Sequence, residues 1–274
     1  MFELCKRIVF VGCGSMAEAI MGGMLQTKTV DKNDIYVTNK QDEGRLGNIE
    51  ATYGVQTSYD KEKLLDLADV VILAMKPKDL AESLDEIRPF IREEQLIISV
   101  LAGVMTETIE EIIGKRNAVV RAMPNTSAQI GYSATAIAAG KYVDQEKINI
   151  AERLFQSIGV TKVVAEDDMH TVTAISGSGP AFIYYFVEAM TTAALEAGMD
   201  EQTADALITQ TIIGAGKMLE QSGEPASVLR ENITSVGGTT AAGLETLKAN
   251  EFEKIIISCI ESARNRSIDL GRTF

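Results

Sequence analysis

The sequence contains a single histidine, His170, and that scarcity excludes more chemistry than any other count. No mechanism that needs two imidazoles on a metal is open to it, and a Ser-His-Asp arrangement or a histidine proton donor must use this one residue. His170 follows Asp167, Asp168 and Met169, just before an apolar segment. A helix-start residue paired with those acids is the plainer reading and a catalytic role the sharper one. Cysteine is almost as scarce: Cys5, Cys13 and Cys259 are odd in number and lack CxxC spacing, which fits neither a disulfide framework nor a zinc site. They read as small packing residues, and no metal is expected. Basic side chains are in deficit as well, 26 Lys plus Arg against 39 Asp plus Glu, for a net charge of −13. A nucleic-acid partner, which requires a clustered basic face, is therefore not expected. Long apolar runs are missing too. Ile8 to Val11 is far short of a spanning helix and Met1 to Arg7 is too polar for a secretory segment, so the expectation is a cytoplasmic protein with no membrane association. There is no internal repeat or low-complexity tract.

What is present is an ordinary globular composition, 46% hydrophobic and 24% charged over 274 residues, which predicts a folded chain of one or two domains. In the first half, short β-rich runs alternate with helical spacing. The strands are Arg7 to Val11, Ile35 to Val37, Val70 to Ala74, Leu96 to Leu101, Ala118 to Ala122 and Val160 to Val164. Between them, Met16 to Gln26, Gly44 to Tyr53, Leu80 to Arg88, Thr106 to Ile113 and Gln145 to Ser157 read as helices. Repeated βα units predict a parallel sheet with right-handed crossovers. After about Ala165 only helices follow: Ala181 to Ala197, Glu201 to Gln221, Ala226 to Glu231, Thr240 to Lys248 and Phe252 to Asp269. The expected division is residues 1–165 and 166–274. Phe182, Tyr184, Tyr185 and Phe186, with Ile183 among them, make a helix apolar on nearly every side. A helix of that kind is normally buried all round. A domain of about a hundred residues can hardly cover it alone, so the helical part is expected to be completed by a second copy in a two-fold dimer.

The chemistry-bearing residues begin with Val9-Phe10-Val11-Gly12-Cys13-Gly14-Ser15-Met16-Ala17, a strand running through GxGxxA into a helix. Gly12 permits the tight turn, Gly14 lets backbone approach a pyrophosphate, Ala17 allows close packing, and the helix-start amides offer an anion site. This predicts a doubly wound Rossmann-like sheet that binds a dinucleotide. At the end of the next strand, where NAD-specific folds place a carboxylate, stand Thr38-Asn39-Lys40-Gln41. Asn39 and Lys40 can bond a 2′-phosphate, which favours NADP; the competing reading folds Asp42 or Glu43 back toward a 2′-hydroxyl. Leu73-Ala74-Met75-Lys76-Pro77 and Ser99-Val100-Leu101-Ala102-Gly103 end later strands and face the same crevice, as does Asn125 in Arg121-Ala122-Met123-Pro124-Asn125-Thr126. Lys76 reads either as a charge for phosphates or substrate or as a solvated loop lysine. In the helical half, Ser176-Gly177-Ser178-Gly179-Pro180-Ala181 and Ser235-Val236-Gly237-Gly238-Thr239-Thr240 are glycine-rich turns ahead of helices, each a nest for a small anion. Backbone amides matter here because a chain of charge −13 binds an anion against its own field.

Together these segments, GCGSMAEAI, AMKP, MPNT, AISGSGPAF and ENITSVGGTTAAGLETL, resemble the pyrroline-5-carboxylate reductase family from end to end. The resemblance implies an NADPH-dependent oxidoreductase with a mainly parallel Rossmann-like sheet followed by an all-α dimerisation domain. It also implies an obligate dimer, sometimes a pentamer of dimers, whose active site lies between the nucleotide domain of one chain and the helical domain of the other. The substrate would be 1-pyrroline-5-carboxylate and the product L-proline. Carried over by position, Val11, Gly12, Cys13, Gly14, Ser15 and Met16 line the NADPH site with Asn39. Ala74, Met75, Lys76, Pro77, Val100, Leu101 and Ala102 extend it, and Asn232 joins from the helical part. Ser178, Ser235, Gly237, Gly238, Thr239 and Thr240 would hold the substrate, with the Thr240 hydroxyl as the catalytic group near the ring nitrogen. Three positions depart from the family pattern: Val236 replaces a usual proline, Asp60 lies near a common asparagine, and His170 replaces a common aspartate.

Reduction of a cyclic imine suits a chain nearly without imidazole, because a protonated nitrogen already activates the carbon that takes the hydride. Two other readings stay open on the residues alone. A β-hydroxyacid-type dehydrogenase would use Lys217 as its acid and would leave the serine-glycine turns unexplained. A non-catalytic NADP-binding paralogue would bind the nucleotide without turnover.

Overall fold

The computed structural model describes residues 7–272, so Cys5 and the segment before Arg7 lie outside the described residues. The first part alternates strand and helix: β1 (Ile8–Val11), α1 (Ser15–Gln26), β2 (Ile35–Thr38), α2 (Glu43–Tyr53), β3 (Gln56–Thr57), α3 (Lys61–Leu67), β4 (Val70–Leu73), α4 (Leu80–Ile87), β5 (Leu96–Ser99) and α5 (Thr106–Ile113). It continues through β6 (Ala118–Met123), β7 (Ser133–Ala139), α6 (Gln145–Gln156) and β8 (Gly159–Val163). The eight strands form one sheet in the order β3-β2-β1-β4-β5-β6-β7-β8. The chain runs outward from β1 to β3 and returns to β4 on the other side of β1, so the strand order reverses between β1 and β4. Ligands of open α/β sheets bind outside the carboxyl ends at such a point.

The central strands are apolar at every position because both faces are covered. Ile8 and Phe10 pack with α1, α2 and α6, while Val9 and Val11 pack with α3, α4 and α5. The expected strands and helices are present with ends shifted by a residue or two, and between β1 and β8 two strands and one α-helix were not expected. The first, β3, has only two residues, and α3 is a seven-residue helix headed by Asp60, whose Oδ1 accepts from the Lys63 amide at 3.1 Å. Aspartate is among the preferred residues at such a cap. The third, β7, reads Ser-Ala-Thr-Ala-Ile-Ala-Ala and lacks the bulk that marks a strand in sequence. It pairs antiparallel with β6, with Ala122 opposite Ile137, and parallel with β8, so the sheet is mainly parallel, as expected, with its last two strands running the other way.

Beyond β8 the described chain is helical: α7 (Met169–Val172), a π-helical turn Thr173–Gly177, α8 (Gly179–Glu196), α9 (Glu201–Gln221), α10 (Ala226–Asn232), α11 (Thr239–Ala249) and α12 (Phe252–Gly271). Packing divides the molecule into two compact units. One comprises the chain up to Ser178 with residues from Glu261 onward, and the other residues 179–260. The helical stretch from Glu166 to Ser178 therefore packs with the sheet, where Met169 lies buried against Ala136 and Ala138.

In the helical unit, α8 has no buried residue and α9 only Ala204 and Ile208. Tyr185 is 75% exposed, and Ile183, Tyr184 and Phe186 are exposed with it. No helix among the described residues is long and apolar enough to cross a membrane.

Candidate functional site

The turn after β1 is built from backbone constraints that the sequence states. Gly12 has φ +106°, and a Cβ there would stand 2.6 Å from the carbonyl of Ala74 and the amide of Met75. Only glycine satisfies both demands. The same turn is tied to its neighbours: the Gly12 amide donates to the Thr38 carbonyl at 2.8 Å and the Ala74 amide to the Val11 carbonyl at 2.9 Å. Gly14 is the N-cap of α1, with extended backbone, no side-chain cap, and open space where a Cβ would be. The helix-start amides that follow have no intrahelical acceptors. That cradle fits a dinucleotide pyrophosphate. Three of the expected lining positions offer backbone only, since the side chains of Val11, Cys13 and Leu101 are buried in the core. Cys13 behaves as the packing residue expected, its Sγ accepting from Asn39 Nδ2 at 3.2 Å.

Asn39 is held on all sides. Its Nδ2 also donates to the Asp42 carbonyl at 2.8 Å, and its Oδ1 accepts from the Asp42 amide and the Tyr59 hydroxyl. Asp42 in turn caps α2, accepting from the Arg45 amide at 2.8 Å. One oxygen of that carboxylate is thus committed at the helix start. Lys40 lies alongside, its Nζ 2.6 Å from Glu82 Oε2 on α4, and that hydrogen bond raises the ammonium above its ordinary value. Lys61 pairs with Glu86 one turn further along α4. Val11, Gly12, Asn39, Lys40 and Met75 line one crevice with Lys61, Asp79, Glu82 and Glu86. Sequence reasoning missed the last four, because α3 was not recognised and α4 was read only for its apolar face. It also missed Arg45, which donates from Nε to the Cys13 carbonyl at 2.9 Å and pairs with Glu18.

Lys76, Pro77 and Ala102 line a neighbouring, largely apolar cleft of about 780 Å³ with Leu80, Ile112 and Leu270. Lys76 itself is exposed. Asn125, expected at this rim, is nearly buried and turned to structural work: its Oδ1 accepts from the Ser127 amide and its Nδ2 donates to the Ser176 carbonyl at 3.1 Å. The Ser176 to Ala181 segment departs from its expected form. Helical backbone already precedes it, and the Ser178 amide donates to the Thr173 carbonyl at 2.8 Å. A π turn therefore stands where an open nest with free amides was expected, and the Ser178 amide is not available to an anion. The extra residue of such a turn commonly marks functional sites.

Beneath this edge Arg121 is fully buried, with one Nη donating to Glu166 Oε1 at 3.0 Å while Thr106 Oγ1 donates to the other carboxylate oxygen at 2.7 Å. Its Nε and second Nη have no hydrogen-bond partner among the described residues. His170 begins a helix as expected, but its partner is Ser267 of α12, 3.0 Å from Nδ1, and not the adjoining acids. Burial, followed by the charges of Arg121 and Arg264, lowers its pKa. The neutral form is favoured, consistent with a structural residue.

In the helical unit, Asn232 ends α10, and Ser235, Gly237, Gly238, Thr239 and Thr240 form the loop into α11. The Gly238 amide donates to the Ser235 carbonyl at 3.0 Å and Gly237 has φ +71°. Gly238 caps α11 without a side-chain hydrogen bond. Its own amide is occupied, so the open donors are those of Thr239, Thr240 and Ala241 in the first helical turn.

Residues 166–270 match the family model described as pyrroline-5-carboxylate reductase dimerisation, and residues 7–103 match that described as NADP oxidoreductase coenzyme F420-dependent. Among curated proteins the chain is 47% identical to pyrroline-5-carboxylate reductase 2 of Bacillus subtilis, over 98% of this chain and 96% of that one. Among solved structures it is similar to a pyrroline-5-carboxylate reductase from Coxiella burnetii, with TM-score 0.91 and 35% identity, covering 97% and 98% of the two chains. It is also similar to a Plasmodium falciparum pyrroline carboxylate reductase with NADP bound, with TM-score 0.87 and 28% identity over 99% of both.

Proposed function

The chain belongs to the pyrroline-5-carboxylate reductase family, and from that membership we propose that it reduces the cyclic imine 1-pyrroline-5-carboxylate to L-proline with NADPH, the last step of proline biosynthesis. One feature carries the reading within the molecule: a dinucleotide turn at Gly12–Gly14 occurs with an uncapped, amide-rich helix start at Gly238. One accepts a pyrophosphate and the other a carboxylate. When bound, the reduced nicotinamide supplies the hydride.

The residues of this chain do the positioning. Residues 1–165 serve as the nucleotide-binding part, in which the α1 amides hold the pyrophosphate and Ala74 to Pro77 and Val100 to Ala102 border the rest of the cofactor. Residues 166–274 serve as the substrate-binding and dimerisation part. There the amides of Thr239 and Thr240, at the positive end of α11, hold the substrate carboxylate without any cationic side chain. The Thr240 hydroxyl accepts from the N–H of the protonated imine and fixes the ring while the imine carbon takes the hydride. The C=N π bond becomes the nitrogen lone pair of the secondary amine, so no general acid is called for at that step and the scarcity of imidazole is no obstacle. The exposed aromatic face of α8 is covered by a second copy, which makes the active assembly at least a dimer.

The test is oxidation of NADPH on addition of the imine. Imine-dependent oxidation is expected, and Thr240→Ala should lower kcat/KM about tenfold or more, the loss of one hydrogen bond in the transition state, while NADPH binding is kept. Full turnover in the variant would remove the role given to Thr240.

A further inference from the structure

The crevice beside Gly12 contains more charge than its position in the fold requires. Lys40 and Lys61 face Asp79, Glu82 and Glu86 there, so both cations already have a carboxylate and one carboxylate is in excess. Asn39, the other group able to bond a phosphate, is engaged through both its amide nitrogen and its oxygen. In folds of this type the end of β2 adjoins the adenosine ribose, where a carboxylate accepts from a 2′-hydroxyl and a free cation pairs with a 2′-phosphate. In this chain the cation comes from the loop that follows β2 and the carboxylate from α4, on the opposite wall, and the two are bonded to each other.

We propose that Glu82 sets the balance between the two nicotinamide cofactors by competing with a 2′-phosphate for Lys40 and by offering an acceptor to a 2′-hydroxyl. The inference rests on the cofactor reading above. The Lys40–Glu82 pair is well suited to exchange, because both side chains are more than half exposed and neither must be desolvated for the pair to open. Lys61 is only 13% exposed, so its pair with Glu86 is the more fixed of the two. A phosphomonoester entering the crevice must displace Glu82 from Lys40 and then lie beside that carboxylate. A hydroxyl meets neither penalty.

The experiment measures dissociation constants of NADPH and NADH by nicotinamide fluorescence, without imine, for the full chain and for Glu82→Gln and Lys40→Gln, at low and high salt. For Glu82→Gln, NADPH should bind about three- to tenfold more tightly and NADH no more tightly than before, with the gain shrinking at high salt. Lys40→Gln should weaken NADPH and leave NADH nearly unchanged. The proposal is overturned if Glu82→Gln moves both nucleotides together or moves neither. Binding of neither nucleotide to the unmodified chain would overturn the cofactor reading and this inference with it, whereas binding of both with an unmoved ratio would overturn this inference alone. An unchanged thermal unfolding midpoint without nucleotide serves as the check that each variant is folded.

Discussion

Arg121 is a cation with no exposure, and its one hydrogen-bonded counter-ion among the described residues is Glu166. Taking a charge out of water is tolerable only when a partner compensates it, so removing the partner costs more than the pair contributes. Glu166→Gln should therefore destabilise the sheet unit by about 3 kcal/mol, read as a lower urea midpoint. Arg121→Met combined with Glu166→Gln should recover part of that loss. Equal midpoints for Glu166→Gln and the unmodified chain would show that the buried charge has another partner. At this scale the sequence was legible where backbone geometry dictated the residue, as at Gly12, whose neighbours leave no room for a Cβ. It was not legible where a side chain's partner lies far along the chain. His170 bonds Ser267, ninety-seven residues away, and no local pattern signals that pairing.

At the scale of elements, the loop heading α11 shows why a departure from the family pattern need not abolish a site. Ser235 to Gly238 closes a turn with positive φ at Gly237, the geometry of a type II turn in which Val236 is the second residue. Proline suits that position because its fixed φ matches the turn. Val236 is fully exposed and packs against nothing, so the amides of the turn are formed without it. Val236→Pro should stabilise the protein by about 0.4 to 1 kcal/mol and lower KM for the imine about twofold at unchanged kcat, as seen in thermal midpoints and steady-state rates. A raised KM would mean that the turn needs a freedom proline denies it. The elements that escaped sequence reasoning have physical explanations. The alanine-rich β7 is a strand because β6 and β8 pair with it on either side. The π turn at Thr173–Gly177 runs into the start of the glycine-rich segment Ser176 to Ala181, and its hydrogen bonding, from the Ser178 amide to the Thr173 carbonyl, has no signal in the local sequence.

At the scale of the whole molecule, a net charge of −13 and an exposed aromatic helix point to different partners. The charge discourages polyanions, whereas the exposed apolar face of α8 is what the proposed dimer would cover. The chain should sediment as a dimer or larger at micromolar concentration, and Ile183→Lys with Tyr185→Lys should shift it toward monomer and lower activity with it. A monomeric, fully active chain would refute that arrangement. The most direct measurement of the proposed activity follows a label through the reaction. With NADPH carrying deuterium at the transferred position, 1-pyrroline-5-carboxylate should yield L-proline with one deuterium on the ring carbon that had been the imine carbon, located by mass spectrometry. Nucleotide oxidation without proline, or proline without the label, would contradict hydride transfer to the imine as the function of this chain.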